Sequence, residues 1–119
     1  MAIVLRVNEL AEADKIVEPL ALPLADPLGK SIETKYFNSF SSADERHDVG
    51  FWETDTGRSR WEFEDGGEVI YVLGGAMTVE RDGEEPVSVK AGDLVVFDKG
   101  WKGYWDVTEH LSKVYVMYS

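Results

Sequence analysis

The chain has 119 residues, 44% hydrophobic and 29% charged, which is typical of one folded domain rather than a disordered segment. Its 23 acidic and 12 basic side chains give a formal charge of −11, and because this charge repels phosphate groups, nucleic acid and membrane surfaces are poor partners. The absence of cysteine excludes disulfides, thiolate catalysis and cysteine-bound metal centres. Without a signal-peptide pattern or a membrane-spanning run, we expect a cytoplasmic protein.

The first 31 residues are predicted to form a strand followed by an extended arm. Residues 2–7 have the pattern of a short strand, and residues 8–14 that of one or two helical turns with Asn8 as the N-cap. Three prolines lie between residues 17 and 29, and because each lacks a backbone donor, this stretch should be extended or loop. An arm of this kind suits a position along a barrel or across a dimer partner.

Residues 32–119 are predicted to form an antiparallel β-barrel, because runs of β-branched and aromatic residues alternate with turn signals. The predicted strands cover residues 32–40, 49–54, 58–64, 68–73, 76–81, 86–90, 94–97, 101–107 and 111–118. Gly74-Gly75 predicts a sharp bend or a bulge where the strand leaves the sheet, and Asp82-Gly83 predicts a hairpin turn. Many short strands without a long helix indicate an all-β barrel or sandwich.

Two segments resemble the paired motifs of the cupin superfamily. The first runs from Glu68 through an apolar strand to Gly75, and the second runs from Gly92 through another apolar strand to Gly100. The ordered pair is more specific than either motif alone. The resemblance implies an RmlC-like jelly-roll barrel, commonly paired into a dimer, so that residues 1–119 form a single cupin domain with an N-terminal arm.

More narrowly, residues 48–118 are similar to the ureidoglycine aminohydrolase-like branch of the cupins, also described as the DUF861 type. Four short segments carry this similarity: Gly50-Phe51-Trp52-Glu53, Arg60-Trp61, Gly100-Trp101-Lys102-Gly103-Tyr104-Trp105 and Lys113-Val114-Tyr115. The branch implies a small nitrogen-containing metabolite as the ligand or substrate.

The resemblance also implies where the ligands of a metal-binding cupin would lie in this sequence. The resemblance implies two histidines one residue apart, a glutamate after them and a third histidine in the second motif. In this sequence the paired positions fall on Trp61 and Phe63, or on the adjacent glutamates, and the third falls on Gly103. Only Glu68 remains, and one carboxylate does not hold a transition metal. The sequence therefore predicts neither a metal site nor a cofactor.

Glu68 is the candidate for chemistry. Strand alternation places Glu68, Ile70 and Val72 on one face, and the resemblance implies that this face lines the barrel interior. The functional interpretation is a general acid/base aided by Lys102 or Arg60, or an anchor for a small polar ligand. The alternative is a structural carboxylate paired with an arginine or lysine inside the barrel mouth. The candidate partners of Glu68 are Arg60, Lys102 and Lys113.

Aromatic and basic side chains around Glu68 are the candidates for binding a ligand. These candidates are Arg60, Trp61, Phe63, Tyr71, Trp105 and Lys113. Large rings at strand spacing also serve as plain core. Two hypotheses therefore stand: a metal-free homodimer that binds a small molecule, with acid/base chemistry by Glu68 and Lys102, and a non-catalytic dimeric scaffold whose rings fill the cavity.

Overall fold

The computed structural model describes residues 2–119. In that part of the chain, two single-turn 3-10 helices, Val7–Glu9 and Glu12–Asp14, precede nine strands. The strands are β1 Ile16–Pro19, β2 Asp26–Leu28, β3 Glu33–Ser41, β4 His47–Thr54, β5 Gly57–Glu62, β6 Gly67–Arg81, β7 Val87–Lys90, β8 Leu94–Phe97 and β9 Lys102–Tyr118. The predicted all-β class is confirmed. No helix among these residues is long and apolar enough to cross a membrane.

The strands form one curled antiparallel sheet organised around β9. One part of the sheet follows the order β1-β3-β4-β9-β5-β2, and β6 pairs with β7, β8 and β9. The first part of β9 pairs with β5 and its second part with β4, while β6 runs along nearly its whole length. This arrangement is the predicted cupin barrel, in which β6 and β9 present their inward side chains to a shared interior.

The N-terminal segment differs in part from the prediction. Residues 2–7 form no strand, because no sheet edge pairs with them and the first strand begins only at Ile16. Asn8 lies inside the first 3-10 helix, whose N-cap is Arg6 without a side-chain hydrogen bond, so the predicted cap is wrong. The arm itself is extended as expected, since β1 pairs with β3 and β2 pairs with β5.

Two of the predicted strand breaks are also wrong. β6 continues through Gly74-Gly75, where the register against β9 shifts between Val72 and Met77, so that the two glycines form the bulge that was one of the predicted alternatives and the strand does not end. Gly75 has φ +84°, and a β-carbon there would collide with the carbonyl oxygen of His110. Glycine is therefore required at this point. β9 likewise continues through residues 108–110, because β6 supplies a partner on both sides of the bulge.

The interior of the barrel is a set of packed aromatic rings. Trp61 and Trp105 stack with centroids 3.8 Å apart, and Phe97 lies 4.8 Å from Trp105. Phe63 also stacks on Trp61, with centroids 5.8 Å apart, and Trp52 meets both indoles edge-on. Such pairs contribute about 0.5–1.5 kcal/mol each beyond their buried area. The rings therefore form the core, and any polar group in the interior packs against them.

Candidate functional site

A buried ion pair joins the two long strands. Glu68 in β6 is 2% exposed and Lys113 in β9 is 1% exposed, and Nζ of Lys113 donates a 2.6 Å hydrogen bond to Oε2 of Glu68. Strand alternation turns both side chains inward, as it turns Ile70 and Val72 on β6. Glu68 is thus inside the barrel, on the face that the sequence predicted.

Only one of the two carboxylate oxygens of Glu68 has a partner. Oε1 is fully buried and accepts no hydrogen bond from any residue between 2 and 119. A buried acceptor left without a donor costs about 1–3 kcal/mol, and more when it is charged. The fold therefore keeps a buried acceptor without a donor, at a cost in stability. A small molecule with an N–H or O–H group would satisfy this acceptor.

The ammonium group of Lys113 lies among three indole rings. Nζ is 4.4 Å from the centroid of Trp52, 4.7 Å from that of Trp105 and 5.6 Å from that of Trp61. Burial lowers the pKa of Lys113, and the neighbouring Glu68 carboxylate acts in the opposite direction. One carboxylate and three ring faces thus replace the water that surrounds an exposed lysine.

A cavity of about 140 Å³ lies against this pair. Glu68, Lys113, Trp52 and Trp61 line it, together with Tyr115, whose hydroxyl donates a 3.1 Å hydrogen bond to Asn38 on β3, across the intervening β4. Burial raises the pKa of Tyr115 to about 12, so its hydroxyl stays protonated at neutral pH and keeps its proton in the hydrogen bond to Asn38. Polar groups therefore converge on one small space that is otherwise walled by rings.

The cavity adjoins a wider groove at the surface. Glu18, Leu24 and Met117 line both the cavity and the groove, which has a volume of about 790 Å³. The N-terminal arm supplies the first two of these residues. The arm therefore forms part of the entrance to the interior, a role that proline-punctuated extended chain suits because it does not collapse into helix.

Three of the predicted site residues lie outside the cavity. Lys102 is 46% exposed and its Nζ is 3.8 Å from Glu64. Arg60 makes two 2.7 Å hydrogen bonds to Asp82 on the surface, and Tyr71 is exposed because alternation turns it away from the interior. The partner of Glu68 is therefore Lys113, one of the three basic residues that the sequence offered as its partners, and neither Lys102 nor Arg60 reaches it.

The remaining candidates are buried. Trp61 lines the cavity and Phe63 lines the wider groove. Trp105 is not among the residues that line the cavity, but its ring contacts the ammonium group of Lys113, which is. Sequence reasoning missed Trp52, which lies directly opposite Lys113 in the β4–β9 pairing. No local pattern marks that pairing, because it joins strands about sixty residues apart.

The residues at the cupin ligand positions do not fit a transition metal. Trp61, Phe63 and Gly103 offer no metal-binding donor, and the carboxylate of Glu68 is engaged by a lysine ammonium. Among residues 2–119, no group of three histidine, aspartate or glutamate side chains is arranged to hold a metal ion. The donor set at this site therefore does not suit the usual metal of the fold.

Comparisons with known proteins agree with the geometry. Residues 41–115 match the model of the EutQ-like cupin domain. The EutQ protein of Clostridium difficile is 26% identical with a TM-score of 0.62, over 73% of this chain and 63% of that chain. The chain thus spans less than two thirds of that relative. None of the curated proteins compared with the chain matches it.

Two proteins of the DUF861 family are also similar. The one from Thermotoga maritima is 32% identical with a TM-score of 0.51, over 55% of this chain and 73% of that chain. The one from Pseudomonas syringae pv. tomato has a TM-score of 0.72 over 86% of this chain and 44% of that chain. At 16% identity, this second likeness shows the fold alone.

Proposed function

The chain belongs to the EutQ-like cupin domain family, and we propose that it binds a small organic molecule in its barrel through Glu68 and Lys113. The cupin superfamily predicted from the sequence is thereby confirmed. The observation that carries the proposal is the buried Oε1 of Glu68, which has no donor among the described residues and belongs to a side chain that lines the cavity.

The cavity limits the size and the charge of this ligand. Because a water molecule takes up about 30 Å³ of liquid, a cavity of about 140 Å³ admits a molecule of about four or five non-hydrogen atoms. The pair of Glu68 and Lys113 carries no net charge, so a neutral ligand fits best. Such a ligand needs an N–H or O–H donor for Oε1 and an acceptor for the free hydrogens of Nζ, as small nitrogen-containing metabolites provide.

The pair also supports acid/base chemistry on such a ligand. Glu68 lines the cavity, its Oε1 accepts no hydrogen bond from the described residues, and its Oε2 accepts one from Nζ of Lys113. A carboxylate with a lysine beside it passes a proton either way when a substrate atom approaches Oε1. Lys113 takes the assisting role that the sequence had given to Lys102.

A thermal-shift screen with small neutral amides, ureido compounds and amino alcohols should find a stabilising ligand. At one hundred times its dissociation constant, a ligand adds about 2.7 kcal/mol to the free energy of unfolding. The Glu68→Gln variant should lose the shift, and an Asp82→Asn variant, altered at an exposed carboxylate, should keep it. Calorimetric titration below the melting temperature checks binding directly. A shift that survives in Glu68→Gln would contradict the assignment, and the absence of any ligand would favour the scaffold.

We further propose that the chain forms a homodimer through the outer face of β6, β8 and β9. On this face Tyr71 pairs with Leu94 and Val69 pairs with Val96 across β6 and β8, and Val116 continues the second row on β9. Leu94 is 69% exposed, and the neighbouring side chains are also open to solvent. These five residues, the outer patch, form a contiguous apolar surface of the kind that marks an interface.

Sedimentation velocity at micromolar concentration should therefore show a dimer for the native chain and a monomer for Leu94→Glu. The substituted carboxylate would lie beside Tyr71 in the outer patch, where a second copy leaves it without water. Val17→Glu adds the same charge to an exposed position of β1, and this variant should remain dimeric. Dissociation of the Val17 variant alone would move the interface to the arm, and a monomeric native chain would exclude the dimer.

A further inference from the structure

We propose that Lys113 captures a small aldehyde as a reversible imine, and that Glu68 moves the protons which the addition and the dehydration require. This inference rests on the proposed ligand cavity. It goes beyond that proposal by giving the lysine a covalent role and by naming the chemical class of the ligand. The observations that carry it are the place of Lys113 among the residues that line the cavity and the Glu68 carboxylate 2.6 Å from its Nζ.

Imine formation needs an amine, and exposed lysines are ammonium ions at neutral pH. Burial lowers the pKa of Lys113, which increases its amine fraction relative to that of an exposed lysine. Lys15 provides a contrast, because its side chain is also only 9% exposed. Burial opposes the charge there too, but hydrogen bonds to Glu12 and Glu53 raise the pKa of Lys15 overall. Lys113 therefore differs from Lys15 because it is desolvated and has one carboxylate partner instead of two.

The pair supplies every proton that the reaction moves. Transfer from Nζ to Oε2 along the hydrogen bond converts the ion pair into a neutral amine and a neutral carboxylic acid. The nitrogen lone pair then forms a bond to the carbonyl carbon, while the π electrons move to the carbonyl oxygen, which takes a proton from Glu68. The product of this first stage is a carbinolamine with a cationic nitrogen and a carboxylate beside it.

Dehydration uses the same carboxyl group. The nitrogen returns a proton to Glu68, which passes it to the hydroxyl group of the carbinolamine. The carbon–oxygen bond breaks, water leaves, and the nitrogen lone pair forms the carbon–nitrogen double bond. The result is a protonated imine opposite the Glu68 carboxylate, so charge is conserved and no further reactant is consumed. Water addition reverses each step.

The walls of the site favour the cationic product. The three indole faces that surround Nζ at 4.4 to 5.6 Å stabilise a cation held against them. An iminium ion keeps the positive charge at that nitrogen, and the Glu68 carboxylate remains its counter-ion. The same rings leave little room for bulk water. Hydrolysis of the imine is therefore limited to water that enters past Leu24 and Met117.

Size and charge select the aldehyde. The cavity of about 140 Å³ admits about four or five non-hydrogen atoms. Lys113 is neutralised by Glu68, and Glu18 lines the same cavity, so an anionic oxo acid would lack a cation of its own. A hydroxyl group next to the carbonyl would donate to the free Oε1. The structure therefore favours a short, neutral hydroxyaldehyde.

Reductive trapping tests the inference. The native protein is incubated at neutral pH with glycolaldehyde and cyanoborohydride, which reduces an imine to a stable secondary amine, and modified peptides are mapped by mass spectrometry. We expect modification of Lys113 ahead of Lys15 and Lys102. The Lys102→Arg variant should keep this early adduct and the Lys113→Arg variant should lose it. In Glu68→Gln the adduct should form more slowly, with near-ultraviolet circular dichroism confirming an intact core.

The peptide map of the native protein decides the matter even where a variant does not fold. Adducts spread evenly over exposed lysines, or an unmodified Lys113, would overturn the imine. If Lys113 stays unmodified while the thermal-shift ligand still depends on Glu68, the covalent role fails and the proposed binding function stands. Trapping at Lys113 in a protein that gives no noncovalent ligand would support the imine alone. Glyoxylate, an anionic aldehyde of similar size, should label Lys113 less than glycolaldehyde does.

Discussion

Replacing Lys113 with methionine should lower the free energy of unfolding by about 3–5 kcal/mol. Methionine fills a similar volume among the rings but leaves the Glu68 carboxylate buried without its cation. Oε2 then loses its only hydrogen bond, and Oε1 has none among the described residues. Urea denaturation followed by tryptophan fluorescence measures the loss, since several indoles lie next to the pair.

A double-mutant cycle separates the interaction between Glu68 and Lys113 from the effect of burying each side chain alone. Adding Glu68→Gln to Lys113→Met removes the stranded charge and should recover a large part of the lost stability. The exposed Lys102 gives the matched control, and Lys102→Met should change stability by no more than about 0.5 kcal/mol. A Lys113→Met variant as stable as the native protein would show that Glu68 is not held as an uncompensated charge in this core.

The cycle also bears on why the pair exists. A buried ion pair contributes little net stability, because desolvation offsets most of the attraction. A barrel selected only as a packed scaffold would be as stable with apolar side chains at both positions. Glu68 and Lys113 nevertheless line a cavity, and Oε1 of Glu68 has no donor among the described residues. This arrangement supports the proposed binding site over a purely structural role.

Much of the fold follows from local sequence signals. The strand at residues 94–97 and the Asp82-Gly83 hairpin are found where predicted, because apolar alternation and glycine turns are local properties. Alternation puts Glu68 on one face with Ile70 and Val72, and the resemblance to the cupin motifs supplied the inward direction that the structure has. The interior position of Glu68 could therefore be predicted without knowledge of any strand partner.

The partner of Glu68 could not be chosen in the same way. In β9 the odd residues face inward both before and after the predicted turn at 108–110, from Gly103 to Tyr115. A single uninterrupted strand would have placed Lys113 inside by parity, but the polar residues at the supposed turn concealed that continuity. In β6 the inward parity changes from even to odd across the bulge at Gly74-Gly75. Only the long-range pairing of β6 with β9 reveals both facts.

Truncation of Trp105 to alanine should cost about 3–5 kcal/mol. Its ring is fully buried and stacks on Trp61 at 3.8 Å, so the substitution opens a cavity that rigid neighbours close poorly. Urea denaturation again provides the measurement. Trp105→Phe should lose much less, because it keeps a stacked ring and removes an indole N–H that is buried without a hydrogen-bond partner among the described residues.

Tyr104 provides the control for this position, one residue along the same strand. Alternation turns it outward, where its ring lies 4.4 Å from the Arg58 guanidinium and 4.8 Å from that of Arg60, and Tyr104→Ala should cost about 1 kcal/mol. Equal losses at positions 104 and 105 would contradict the inward stack. Because Trp105 also contacts the Lys113 ammonium, its removal should weaken ligand binding in Trp105→Ala at temperatures where that variant is still folded. A scaffold whose rings only fill space predicts the loss of stability without that second effect.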